Sequence, residues 1–234
     1  MKDKNLLFAV IIALGLAILG ADIASGLRSF RTGERIVTVK GLAERDVMAD
    51  KVVWPLTYKE IGNDPVVMYK VMEEKNQKVV SFLLQGGVQT HEISVNPPTI
   101  IDRQADYYGN EIMNFRYKAT SVITVTSSEV EKVRKLISDQ AVLMKEGIAL
   151  VKEGYSESPI VYEFTGLNGI KPEMVEEATR NARLTAEKFA EDSDCKLGKI
   201  RSANQGQFSI TDRDATTPYI KHIRVVNTIQ YELK

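Results

Sequence analysis

The densest group of ionisable residues lies in the stretch "VTVKGLAERDVMADKVVW", residues 37–54. Its acids and bases are Lys40, Glu44, Arg45, Asp46, Asp50 and Lys51. Such groups could act as general acids and bases if a histidine or nucleophile elsewhere joined them. They could equally solvate a turn between two strands and keep a strand edge from random pairing. No histidine, cysteine or glycine-rich loop is evidently placed to join them, so we favour the hairpin, with Gly41 at a bend or bulge.

The other residues with nucleophilic or metal-binding chemistry match no catalytic or metal-binding pattern. "GYSES", residues 154–158, lacks the second glycine of the G-x-S-x-G elbow and lies between predicted strands. We interpret His91 and His222, the only histidines, as solvated strand residues. "HEISV" lacks the second histidine of HExxH, and two histidines with one cysteine do not suit the usual zinc sites. Cys195 is either a small hydrophobic residue or a reactive thiol. We predict no catalytic residue, no cofactor and no metal.

Two polar loops offer weaker candidates. Asp102, Asp106 and Glu111 could be paired carboxylates, although the sequence does not show that they converge. Tyr107 and its neighbour Tyr108 lie in the same loop, where either an interface or packing on the sheet is expected. "TDRDATTP", residues 211–218, lacks the spacing of a calcium loop and is interpreted as a mobile hairpin tip.

Composition limits the class of protein. The 234 residues are 44% apolar and 26% charged, as in ordinary globular proteins. Lys+Arg and Asp+Glu balance at 31 each, so the chain has no net positive field for nucleic acid. We therefore expect no nucleic-acid partner.

The N-terminus contains an uncharged apolar run, "LLFAVIIALGLAILGA", residues 6–21. Sixteen helical residues rise roughly 24 Å, less than the ~30 Å of a hydrocarbon core, so the run must continue towards residue 27 to span it. A cleavage site needs small residues at two positions before the cut, and no cut close to the run provides both. We favour an uncleaved membrane anchor at 1–27, a linker at 28–33 and export of the remainder; a removed signal peptide stays the alternative.

Periodicity then predicts strands and helices in turn. Alternation from Val52 predicts a strand, which Pro55 places at a sheet edge or bulge. Asn63 or Asp64 followed by Pro65 predicts a helix start, with Gly86-Gly87 at its end. Two further helices are expected. One spans residues 128–144 with a capping box from Ser128 to Glu131, and the other starts near Pro172 with an apolar stripe of Met174, Ala178, Ala182, Ala186, Phe189 and Ala190.

The order of elements is ββαββ, a linking helix, then ββαββ. This order favours an α+β fold of antiparallel sheets with helices packed on one face. It gives one domain at 34–234, with possible duplicated subunits at 34–127 and 146–234 joined by the helix at 128–144.

Three stretches carry a family resemblance. Val37, Val39 and Gly41 match the V-x-V-x-G opening of the SIMPL domain family, with Ala49-Asp50 in place of its Pro-Asp. "FRYKATSVITVTSSEVEKVRKLI" resembles the family's central strand and helix. "EATRNARLTAEKFAEDSDCKLGKI" is similar to its alanine-rich helix and K-L-G-K segment and is the most specific match.

The resemblance implies an α+β envelope protein of bacteria that is periplasmic or surface-exposed and prone to form homo-oligomers. It also implies a link with oxidative and envelope stress, and it supplies no catalytic residues. We expect a membrane-anchored, exported, non-enzymatic module that assembles with itself. A periplasmic small-molecule or peptide-binding protein is the alternative.

Overall fold

The computed structural model describes residues 12–25, 35–105, 114–151 and 159–234. The fold is α+β, as predicted, with two antiparallel sheets. Residues 12–25 form helix α1. The other helices are α2 (Pro65–Gln85), α3 (Val130–Asp139), α4 (Ala141–Lys145) and α5 (Leu167–Asp192), with a 3-10 turn at Thr90–Glu92. The strands are β1 (Ile36–Met48), β2 (Lys51–Gly62), β3 (Ile93–Val95), β4 (Thr99–Asp102), β5 (Tyr117–Ser127), β6 (Val161–Glu163), β7 (Leu197–Gln205), β8 (Ser209–Asp212) and β9 (Ile220–Leu233).

Each sheet is built around a long strand. In the first sheet the order is β3-β5-β2-β6, and β4 also pairs with β5. In the second the order is β1-β9-β7, and β8 also pairs with β9. Among the described strands, β3 and β4 therefore lie at one edge of the first sheet, and β1 lies at one edge of the second.

The chain divides into two compact units. The first unit comprises Met1–Leu42, Glu176–Gly206 and Val226–Lys234. The second comprises Ala43–Val175 and Gln207–Val225. The two sequential subunits expected from the element order stay a prediction.

The second unit has the larger core. β2 pairs with β5 along its whole length in one unbroken register, from Val52 opposite Ser127 to Gly62 opposite Tyr117. Its inward face is fully buried and consists of Val52, Trp54, Leu56 and Tyr58 from β2 with Ala119, Ile123 and Val125 from β5. This confirms the alternation predicted from Val52 onwards.

Pro55 lies where β2 has little on its other side. Among the described residues, β6 pairs with Lys51, Val52 and Val53, and beyond them Leu150 bridges Tyr58 while the Val151 N–H donates to the Thr57 carbonyl. A proline there removes no ladder donor that a neighbour needs. The predicted edge position is confirmed locally, and the register shows no bulge.

Helix α2 begins and ends where the sequence predicted. The Asp64 carboxylate accepts hydrogen bonds from the backbone N–H groups of Val66 and Val67 at 2.8 and 3.3 Å, and Pro65 occupies the first turn. Gly87 follows the helix with φ +86°, a conformation that glycine adopts without strain. Met68, Met72, Val79 and Leu83 form the buried stripe.

Two helix predictions need correction. The helix expected at 128–144 is divided at Gln140 into α3 and α4. Its N-cap is Glu129 without a side-chain bond, so the Ser128 capping box is wrong; instead the Ser127 hydroxyl accepts from the Glu129 N–H at 3.0 Å.

The alanine-rich helix α5 begins at Leu167, so Pro172 lies inside its first turns instead of at its start. Its buried stripe is Met174, Ala178, Ala182, Ala186 and Ala190, as predicted. Phe189 does not belong to this stripe, because it is 53% exposed.

Gly41 permits close packing in the first unit. It lies inside strand β1, so the expected bend is wrong, while the alternative of a bulge stays a prediction; the turn falls at Ala49-Asp50. A Cβ added at Gly41 would lie 1.9 Å from the Ala178 carbonyl oxygen and 2.7 Å from the Ala182 Cβ. The Asn181 side chain donates to the Leu42 carbonyl at 2.8 Å. Any larger residue would push α5 away from the strand.

The described part of the predicted anchor is α1. Within the residues that the structure describes, no helix is both long enough and apolar enough to cross a membrane. Residues 1–11 and the linker at 28–33 lie outside the described ranges.

Candidate functional site

Five of the six acids and bases that the sequence places in the β1–β2 hairpin lie in the second unit and contact other protein groups, whereas Lys40 lies in the first unit. We call Glu44, Arg45, Asp46, Asp50 and Lys51 with their partners the charged hairpin. Arg45 pairs with Glu173 at 2.9 Å, and Lys51 pairs with Glu163 at 2.8 Å. These are contacts between exposed or half-exposed groups, so each contributes less than about 1 kcal/mol to stability.

His222 lies against two of these carboxylates. Its Nδ1 is 2.8 Å from Asp46 Oδ1, and its Nε2 is 3.7 Å from Glu44 Oε1. Arg224 holds Glu44 at 3.1 Å. The sequence placed His222 on the polar face of β9, which is correct, but the expectation that no histidine joins the hairpin charges is wrong. The β1–β9 pairing that joins them could not be read from local patterns.

The arrangement lacks what a hydrolytic triad needs. In a triad a carboxylate orients one imidazole nitrogen while the other faces a nucleophile. Here both nitrogens face carboxylates, and the second of these is already paired with an arginine. The geometry is that of a surface ion cluster.

Asp50 has a structural role at the start of α5. Its carboxylate accepts from the Thr165 N–H at 2.7 Å and from the Gly166 N–H at 2.8 Å. These donors precede Leu167, the first residue of the helix. An acidic group there satisfies free N–H groups and complements the helix dipole.

The other candidates are also satisfied by protein groups or lie outside the described residues. Arg116 binds Asp102 with two nitrogens, at 3.0 and 2.7 Å, and this hydrogen-bonded pairing lowers the pKa of the carboxyl. Such a group is a poor proton donor near neutral pH. Asp106, Glu111, Tyr107, Tyr108 and "GYSES" at 154–158 fall outside the described ranges.

The loop of residues 211–218 is organised by Asp214. Its carboxylate accepts from the Thr216 and Thr217 N–H groups at 2.9 and 2.8 Å, and hydrogen bonds from both threonine hydroxyls lower its pKa. No described group of three His, Cys, Asp or Glu residues could hold a metal ion. His91 is exposed, as expected, but it lies in the 3-10 turn and not in a strand, so that part of the interpretation is wrong. The Cys195 thiol donates to the Ser193 carbonyl at 3.3 Å.

A different region has room for a ligand. A cleft of about 780 Å³, which we call the α2 cleft, lies between helix α2 and the β3–β4 segment, wholly inside the second unit. Its volume is within the ~300–1,000 Å³ common for small-molecule pockets. The helix contributes Tyr69, Glu73, Asn76, Gln77, Val80 and Ser81, and the strand segment contributes Val95, Asn96, Pro97, Pro98 and Ile100.

The apolar wall of the cleft is an uncovered part of the sheet's inward face. Val95 is paired with Ile123 and Ile100 with Ala119, both fully buried, so each pair shares one face. Yet Val95 is 46% exposed and Ile100 is 38% exposed. Helix α2 covers β2 and β5 but leaves these two side chains in the cleft.

A polar network forms the helix side of the cleft. Asn76 lines the cleft, and its Oδ1 accepts from the Tyr58 hydroxyl at 2.9 Å and from the Ser121 hydroxyl at 2.8 Å. The Tyr58 oxygen is also 2.9 Å from the Met72 carbonyl oxygen, so its single proton is shared between these two acceptors. Burial raises the pKa of Tyr58 to about 12. With Oδ1 held in this way, the Asn76 amide N–H₂ has no partner among the described residues and is available to a ligand.

A smaller hollow of about 420 Å³ adjoins α3, but the guanidinium group of Arg134, which lines it, already contacts other protein groups. Arg134 pairs with Glu131 at 2.8 Å and lies 3.3 Å from the centre of the Tyr219 ring. The α2 cleft is therefore the stronger candidate.

Sequence reasoning missed the α2 cleft. Its helix residues recur at positions 69, 73, 76, 77 and 80 and form a mostly polar stripe on α2. The core stripe of the same helix is apolar and consists of Met68, Met72, Val79 and Leu83. The available signals were a tyrosine and a valine on the polar side of an amphipathic helix and the Pro97-Pro98 pair after a short strand. None of these identifies a cleft without the tertiary fold.

The comparisons with known proteins agree with the resemblance seen in the sequence. Residues 37–224 match the model of a family described as SIMPL, protein of unknown function (DUF541). This match covers well over half of the chain. No curated protein matches the chain.

Proposed function

We propose, from the premise that this chain belongs to the SIMPL family of proteins of unknown function, that it is a non-enzymatic binding module of the bacterial cell envelope. The observation that supports this proposal is the α2 cleft, which combines an uncovered apolar wall with the Glu73 carboxylate and the Asn76 amide N–H₂, neither of which has a partner among the described residues. The described carboxylates of the charged hairpin are, by contrast, bound by other protein groups. Binding without turnover is the simplest function consistent with that difference.

Export and membrane attachment are part of the proposal. They rest on the uncharged run at residues 6–21 and on the family resemblance, which also suggests a role in envelope or oxidative stress. Cell fractionation with alkaline extraction tests the attachment. We expect the chain to stay in the membrane fraction, and its complete release would contradict this part of the proposal.

The binding function can be tested by a thermal-shift screen of pooled small metabolites against the full chain. A ligand that binds the folded state raises the melting temperature. Ser81→Trp, an exposed position on α2 that lines the cleft, fills the cleft and should abolish every specific shift.

Glu74→Trp is the matched control, because Glu74 is an exposed residue of the same helix outside the cleft. We expect this variant to respond as the natural chain does. A screen with no ligand whose effect Ser81→Trp removes would contradict the proposal.

Self-assembly is the second candidate function. The 13-residue strand β1 has only β9 as a described neighbour in its sheet, and Leu42 on its outward face is 37% exposed. A long edge strand is a surface for pairing with another chain. Light scattering of the full chain in detergent should give a multiple of its 26.2 kDa mass, and Leu42→Lys should reduce it; a monomer in both would contradict this candidate.

A further inference from the structure

We infer that the ligand of the α2 cleft is an organic cation, an ammonium or guanidinium group attached to an apolar body. This inference rests on the proposed binding function and specifies its ligand class. It follows from the charge, the aromatic group and the apolar wall that the cleft presents together.

Glu73 is the one charged residue among the described residues that line the cleft. It is exposed, and no basic side chain in the described part of the chain pairs with it. Of the three α2 lysines, Lys75 pairs with Glu60 and Lys78 with Glu146 at 3.3 Å, while Lys70, one turn before Glu73, forms no ion pair with it. A ligand that enters the cleft therefore meets a carboxylate that no basic side chain of the described residues binds.

Tyr69 lies one helical turn before Glu73 and lines the same cleft. Its side chain is 53% exposed. A cation held by the Glu73 carboxylate can lie against this ring, which adds a favourable cation–π contact. The Asn76 amide, three residues after Glu73, offers a donor for a neutral acceptor on the ligand.

The opposite wall determines the rest of the ligand. Val95 and Ile100 are exposed apolar groups that an apolar body would cover. Pro97 and Pro98 carry no N–H, so this part of the strand edge cannot donate hydrogen bonds to an added peptide strand or to an anion. The wall disfavours an extended peptide and favours a compact amphiphilic cation.

Three probes of the same size and different charge test this inference: 4-phenylbutylamine, 4-phenylbutanol and 4-phenylbutyrate. Each is titrated calorimetrically into the full chain, with protein-free detergent as the blank. We expect the amine to bind at least tenfold more tightly than the alcohol and the carboxylate to show no measurable binding. The preference for the amine should decrease with added salt, because exposed charges are screened.

Glu73→Gln keeps the size and polarity of the side chain and removes its charge. We expect it to abolish the difference between amine and alcohol. Glu74→Gln, which removes the same charge next along the helix but outside the cleft, should keep most of the preference.

Equal affinity of the natural chain for amine and alcohol would overturn the inference, as would an equal loss in Glu73→Gln and Glu74→Gln. If all three probes bound equally and Ser81→Trp abolished their binding, the cleft would be a binding site without charge selection, and only this inference would fail. If no probe bound and the metabolite screen gave no ligand sensitive to Ser81→Trp, the proposed function itself would fail.

Discussion

The charged hairpin and the α2 cleft differ in what their polar groups contact. In the charged hairpin the carboxylates of Glu44, Asp46 and Asp50 are each bound by a protein donor. In the α2 cleft Glu73 has no described cationic partner, and the Asn76 amide is bound at Oδ1 while its N–H₂ group has no partner among the described residues. The hairpin attracts attention in the sequence, whereas the cleft does not.

This difference shows that a high density of charged residues is a poor indicator of function. Charges that are close in sequence and placed on paired strands find partners in the fold, and an occupied group has little capacity for a ligand. A polar group beside exposed apolar surface has no such partner. Substitutions in the two regions should therefore differ in their consequences.

The largest effect on stability is expected in the polar network on the helix side of the α2 cleft. Asn76→Leu keeps the volume of the side chain but leaves the Ser121 hydroxyl without its acceptor and Tyr58 with only Met72. A buried unsatisfied group costs about 1–3 kcal/mol, so the free energy of unfolding should fall by about that amount. Urea denaturation measures it. Gln77→Leu, at an exposed neighbouring position, should change the free energy of unfolding by less than about 0.5 kcal/mol. If both variants lost the same stability, the hydrogen bonds of Asn76 would not distinguish it from an exposed residue.

Tyr58 should make the stability of this region depend on alkaline pH. Its pKa is raised in the fold to about 12 from 10, so the unfolded chain ionises first. The stability contributed by the neutral phenol is complete below pH 10 and is lost as pH rises towards 12. Between pH 10 and 11 the loss is about 1 kcal/mol.

Tyr58→Phe tests this dependence, because the variant lacks the ionising group while other tyrosines still titrate. It should be about 1 kcal/mol less stable than the natural chain at pH 7, from the lost hydrogen bonds. That difference should shrink as the pH is raised from 10 to 11 in urea denaturation. Parallel pH profiles for the two proteins would show that the hydroxyl is not buried in the network.

Asp50 is the one member of the charged hairpin expected to matter for stability. Asp50→Ala removes the acceptor for the Thr165 and Gly166 N–H groups at the start of α5 and should cost about 1–2 kcal/mol. Asp50→Asn retains one acceptor oxygen and should lose less. If Asp50→Ala were as stable as the natural chain, the Asp50 carboxylate would contribute no more to stability than the exposed ion pairs do.

The smallest effect is expected at the His222 cluster. A double-mutant cycle with Asp46→Asn and His222→Gln should give a coupling energy below about 1 kcal/mol, because both side chains are partly exposed. Chemical denaturation of the four proteins provides it. A coupling above about 2 kcal/mol would show that the cluster is more than a surface ion pair.

Local patterns predicted the strands and helix α2 well. Alternation identified the buried face of β2, and the Asp64–Pro65 and Gly86-Gly87 signals located both ends of α2. The errors occurred where tertiary contacts decide. Gly41 remains in a strand, where α5 packs closely against it. The predicted Ser128 capping box does not form, and the Ser127 hydroxyl accepts a hydrogen bond from the Glu129 N–H instead.

The candidate site was less predictable than the fold. The contact between His222 and Asp46 joins residues far apart in the chain, and only the order of strands in the sheet brings them together. The α2 cleft depends on how far α2 extends over the first sheet, which leaves Val95 and Ile100 uncovered. No local pattern contains that information.

Two-dimensional ¹H–¹⁵N NMR of the full chain titrated with 4-phenylbutylamine tests the central claim most directly. The account predicts saturable shifts in the amide signals of Tyr69, Glu73, Asn76, Val95 and Ile100, while those of Glu44, Asp46, His222 and Arg224 stay unchanged. Shifts confined to the charged hairpin, or no saturable shifts in the α2 cleft, would contradict it.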